Sequence, residues 1–141
     1  MDGAAQVIGN DQAALIHAIS TAAQKTKPDL SIEGASWSGN TIGFSVKAPE
    51  GIHGVLNVAL AEDATSSAVG RGENAGRTLH HVAVVRLMKT MGRNKTGEEP
   101  LTLQLGHGET LTGHAYRLIA FLTEDEGGQV RAAAEVPINR P

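Results

Sequence analysis

Between Gly70 and Arg77 the chain sets Arg71, Glu73 and Arg77 beside Asn74 and among three glycines, Gly70, Gly72 and Gly76. Two guanidinium forks in so short a span can hold a carboxylate or a phosphate bidentately, and Glu73 can instead close an internal pair with either of them. The residue types leave both outcomes open. The glycines and Asn74 tolerate left-handed backbone angles, so the stretch reads as a loop, and the β-type run after it carries Arg86. Arg71, Glu73, Asn74, Arg77 and Arg86 are therefore the candidate ligand-binding residues, for an anionic metabolite or a glycan. The loop lacks the Lys-Ser/Thr ending of a nucleotide phosphate loop and opens a strand instead of a helix.

Other chemistry finds weaker support. His80 and His81 are neighbours in a β-type run, so their side chains point to opposite faces, and a zinc site would need His107 or His114 to converge on one of them. No His-Glu-x-x-His pattern occurs, and no metal ligands are assigned. A metal-dependent hydrolase on His80, His107 and His114 is the least supported alternative. The serines, Ser20, Ser31, Ser36, Ser38, Ser45, Ser66 and Ser67, include none in a Gly-x-Ser-x-Gly elbow, and none can be tied to a base. Glu98-Glu99 and Glu124-Asp125-Glu126 lie beside proline or glycine and read as solvated turns. With no cysteine, thiol redox chemistry, disulfides and Cys-zinc sites are excluded. No catalytic residue and no cofactor is expected, and the chain reads as a non-enzyme.

The elements that position the loop come from periodicity. The 141 residues suffice for one domain, or one with an appendage, and its own hydrophobic core. Asp2-Gly3 is a turn signal and Gln6-Val7-Ile8 a short strand. Asn10 is the expected N-cap of a helix from about Asp11 to Lys25, with Leu15, Ala18, Ile19 and Ala22 as its apolar stripe and Pro28 beyond its end. His17 lies off that stripe and faces solvent.

From Leu30 the period changes to two. Leu30-Ile32, Ile42 to Ala48, Leu101 to Leu105 and Val130 to Val136 read as strands with one wet face, the last placed at an edge by Pro137. Val55 to Ala61 and Tyr116 to Thr123 are apolar on both faces, as in the middle of a sheet. Leu79 to Met91 adds a long β-rich run. Seven or eight strands with close-set turns give a mainly β chain, an antiparallel β-sandwich with a barrel as the alternative. Trp37 is expected in its core.

Charge and composition narrow the partners. The net charge of -3 and four aromatic residues, one Trp, one Tyr and two Phe, argue against nucleic acid. Yet Ala64 to Gly97 carries Arg71, Arg77, Arg86, Lys89, Arg93 and Lys95 against the single acid Glu73, so the glycine loop sits in a locally positive field. No stretch approaches a membrane span, and no signal peptide is visible.

Val7-Ile8-Gly9-Asn10-Asp11-Gln12-Ala13-Ala14, the run Gly70-Arg71-Gly72-Glu73-Asn74-Ala75-Gly76-Arg77-Thr78-Leu79 and the trailing Val84-Val85-Arg86 resemble an exported bacterial family, the domain-of-unknown-function family 1223. The resemblance implies a thioredoxin-like domain with a Cys-x-x-Cys motif followed by a β-rich domain. On that reading residues 1–27 are the last strand and helix of the thioredoxin-like fold and residues 28–141 the β-sandwich. Location would be periplasmic or secreted. The redox Cys pair is absent, and Ala83 stands where the family pattern leads one to expect Asn. The implied role is a docking or protein-interaction domain whose partner is another protein or the missing thioredoxin-like domain. Self-association through the uncovered helix stripe is also expected.

Overall fold

A computed structural model of the chain describes residues 6–106, 111 and 113–141. The Asp2-Gly3 turn and His107 lie outside them. Helix α1 spans Gln12–Ala23 and opens at Asp11, whose carboxylate accepts a hydrogen bond from the Ala14 N–H at 2.9 Å. The cap is thus Asp11 and not Asn10, because the Asp11 carboxylate both reaches that orphan donor and meets the positive end of the helix dipole. The helix ends before Lys25 and Lys27. Gln6-Val7-Ile8 is not a strand, and the three residues pair with none of the described strands. Helix α1 buries no residue, and Ile16 and Ile19 remain 56% and 50% exposed.

Beyond the helix the described residues form seven strands: β1 (Ser31–Ser38), β2 (Thr41–Lys47), β3 (Val55–Ala68), β4 (Thr78–Arg93), β5 (Gly97–Gln104), β6 (Ala115–Thr123) and β7 (Val130–Asn139). They form two antiparallel sheets, one ordered β1-β2-β5 and one ordered β4-β3-β6-β7. The inward residues Ile32, Ile42, Phe44, Val46 and Leu103 of the first sheet meet Leu56, Val58, Leu60, Tyr116, Leu118 and Leu122 of the second in one buried cluster. The architecture is therefore a β-sandwich and not a barrel, each sheet covering the apolar face of the other. As their two-sided apolar sequences require, β3 and β6 are the inner strands of the larger sheet, and β7 with Pro137 is an edge.

The pairing of β3 with β4 fixes where the candidate side chains lie. The β3 ladder does not stop at Ala61, where the apolar run ends, but pairs with β4 as far as Ala68 opposite Thr78. The register shifts between Leu60 and Ala61, whose partners are Leu87 and Val85, so Arg86 is the extra residue of a bulge.

Candidate functional site

The glycine loop closes the β3–β4 hairpin. The Val69 N–H donates to the Arg77 carbonyl at 2.9 Å and the Gly76 N–H to the Val69 carbonyl at 2.8 Å, while the Ala75 N–H reaches the Gly72 carbonyl at 3.0 Å. Gly72 and Gly76 have φ of 93° and 79°, values that a side chain would strain. Every residue from Arg71 to Thr78 is exposed, and the side chains of Arg71, Glu73 and Arg77 make no ion pair with one another or with other described residues. The loop thus presents both guanidinium forks and Glu73 to solvent.

Arg86 is not brought to them. It sits nine strand positions from Arg77 on β4, on the order of 30 Å at about 3.3 Å per residue. Its Nε donates to Glu62 Oε2 at 2.7 Å and its terminal nitrogen lies 2.5 Å from the same oxygen, with Glu62 only 1% exposed. The bulge aims the guanidinium along the sheet at this carboxylate. Opposite Glu62 stands Tyr116, whose hydroxyl donates to the Gly113 carbonyl at 2.9 Å and accepts from the Gly113 N–H at 3.1 Å. A Cβ at position 113 would lie 2.5 Å from Glu62 Oε1, so a side chain there would push the carboxylate aside. Burial, and then the Glu62 charge, push the Tyr116 phenol above its ordinary range. Trp37 packs edge-on to Tyr116 at 6.0 Å, partly buried against the core, with Arg140 5.9 Å over its ring.

Of the histidines, His80 and His81 lie on β4 and His114 directly before β6. His81 Nε2 lies 2.8 Å from Ser67 Oγ across the exposed part of the β3–β4 hairpin, a nucleophile-and-base pairing that spacing alone does not reveal. No carboxylate orients the imidazole from its other nitrogen among the described residues, and the pair lies on an exposed ribbon. Among the described residues no three His, Asp or Glu side chains gather at metal-binding range.

The outer face of the four-stranded sheet is apolar at its centre and polar at both ends. Met88 pairs with Ala59 and Ala59 with Ile119, while Val85 pairs with Ala61, so these side chains share that face. Met88 and Val85 are 65% and 53% exposed. At one end Thr90 donates to Asn57 at 2.8 Å and Asn57 donates to Thr123 at 3.2 Å. At the other Arg117 bridges Asp63 and Glu135, which raises its pKa further, first through the hydrogen bond to Asp63.

A cleft of about 480 Å³ opens at the end of the sandwich opposite the hairpin loop, between the segment after α1, the β2–β3 connection and the start of β7. Lys25, Lys27, His53 and Arg131 line it. Sequence reasoning missed this grouping because its members come from three distant segments. It missed Glu62 too, although a carboxylate directly continuing the two-sided apolar run from Val55 to Ala61 signals a buried acid in need of a cation, and Arg86 is the charge that interrupts the facing run.

The molecule is, in class, an antiparallel β-sandwich with one appended helix and no assembled catalytic constellation among its described residues. Residues 1–123 match the family described as "Protein of unknown function (DUF1223)", and the chain belongs to that family. A crystal structure of an Agrobacterium tumefaciens protein solved by structural genomics is similar, with a TM-score of 0.50 and 14% identity, over 96% of this chain and 58% of that one. That likeness concerns the fold. No curated protein matches the chain.

Proposed function

We propose that this chain is the non-catalytic β domain of a larger exported thioredoxin-like protein, joined through helix α1, a remnant of the redox domain, to the rest of that domain, and serving in docking or protein interaction. The observation that carries this reading is the helix itself. A helix of twelve residues that buries none of them, with Ile16 and Ile19 largely exposed, lacks the body its apolar stripe is built to cover. The span of only 58% of the similar A. tumefaciens chain supports a larger whole, and the loop motif with its trailing Val84-Val85-Arg86 supports the family's two-part organisation and its periplasmic or secreted location. The test reads the coding DNA in frame upstream of Met1. An open frame encoding a Cys-x-x-Cys motif is expected, and in that longer protein Ile16→Asp with Ile19→Asp should release the α1 amides to fast hydrogen exchange. An in-frame stop directly before Met1 overturns the reading.

A second reading, small-anion or glycan binding at the β3–β4 loop, is favoured by the open forks of Arg71 and Arg77. Glu73 and Asn74 complete that set, while Arg86 is engaged by Glu62. Arg77→Ala should then abolish any ligand-induced melting shift. An unchanged shift in that variant removes the loop from consideration.

A further inference from the structure

We infer that the cleft between the α1–β1 segment, the β2–β3 connection and the start of β7 is a binding site for a small multiply charged anion, a phosphate ester or a polycarboxylate. The cleft is lined by Lys25, Lys27, Arg131 and His53, with Thr26 and Gln129 as neutral hydrogen-bonding groups, and no acid is among its lining residues. Three cationic side chains therefore meet in one concavity of a chain whose net charge is -3, with Arg131 paired to Glu124 and Lys27 bonded to the Val130 carbonyl. At about 480 Å³ it lies within the range of about 300–1,000 Å³ usual for small-molecule sites.

Two hydrogen bonds to backbone carbonyls position the wall. Lys27 Nζ donates to the Val130 carbonyl at 3.2 Å, which ties the α1–β1 segment to β7. The Ile52 N–H donates to the Pro49 carbonyl at 3.2 Å and sets the turn that brings His53 to the rim. Asp125 pairs with Arg93 at 2.9 Å, while Glu124, which is not among the lining residues, pairs with Arg131. One carboxylate leaves other donors of the Arg131 fork for an incoming anion. Lys25 makes no ion pair with another described residue, and its ammonium is the open charge of the site.

The test titrates the 141-residue chain with pyrophosphate and with citrate, followed by amide chemical shifts. Saturable shifts at residues 25–28, 51–53 and 129–131 are expected, weakening steeply with added salt. Lys25→Gln should raise Kd at least fivefold, whereas Lys89→Gln should leave it unchanged. Lys25 and Lys89 are both exposed, so neither change threatens the fold. Strong response to one anion only identifies the phosphate or the carboxylate form. No saturable shift in the cleft overturns the inference, as does an equal loss on neutralising Lys89.

Discussion

Arg86 closes on Glu62 with both Nε and a terminal nitrogen within 2.7 Å of one carboxylate oxygen, and the contact exists because β4 carries one residue more than β3 at that point. The pair sits at the end of the core, against Tyr116 and Gly113.

Removing the cation leaves a buried carboxylate without its guanidinium. Arg86→Ala is expected to destabilise the fold by about 3 kcal/mol, and the double change Glu62→Leu with Arg86→Leu by much less. Urea unfolding midpoints of the three proteins check this. A double variant as weak as Arg86→Ala would show that the cost is lost packing.

Tyr116 is the only tyrosine of the chain, so alkaline titration of the phenol absorbance reads it directly. Its folded pKa is raised, which means that the fold favours the neutral phenol. The stabilisation is therefore fully present below the unfolded value of about 10, and is lost as pH climbs from there through the folded pKa. Denaturation midpoints should fall above about pH 10, and Tyr116→Phe should flatten that fall while lowering stability at neutral pH by about 1 kcal/mol for the two Gly113 hydrogen bonds.

Ala83 holds φ of 53° on an exposed stretch of β4. A left-handed angle costs an alanine about 1 kcal/mol, and glycine or asparagine bears it better. Ala83→Gly or Ala83→Asn should raise the melting temperature by about 2–4 °C, as read by calorimetry. The same geometry gives a physical reason for an asparagine at this position.

Gly54 precedes β3 where an added Cβ would lie 2.6 Å from the Thr123 backbone carbonyl oxygen. That contact is with backbone and cannot swing aside. Gly54→Ala should cost about 1–3 kcal/mol, while Gly70→Ala, in open space on the hairpin loop, should change stability by less than about 0.5 kcal/mol. Chemical denaturation of the two variants side by side checks the contrast.

The alternation of Ile42, Phe44 and Val46 and the two-sided apolar runs of β3 and β6 make the sandwich legible in the sequence, because strand faces follow residue parity and inner strands are apolar throughout. The helix is legible too, although its cap is not: Asn10 and Asp11 are both good caps, and only the backbone angles select between them. Residues 6–8 have the composition of a strand, but local sequence carries no information about a partner edge. For the candidate sites the limits are sharper. The loop from Arg71 to Arg77 is contiguous and therefore visible. Proximity in sequence groups Arg86 with it, yet an extended strand carries nearby numbers far apart, and a bulge turns the side chain to Glu62. The basic cleft has no local signature at all.

The two edges of the larger sheet are unequal. β7 carries Pro137, which has no N–H to offer a neighbouring strand, whereas β4 runs sixteen residues with no proline. An incoming strand meets an uninterrupted edge along β4 and one missing donor along β7. A second chain adding a strand to this sheet would find its longest unbroken row of backbone donors and acceptors on β4, directly after the glycine loop.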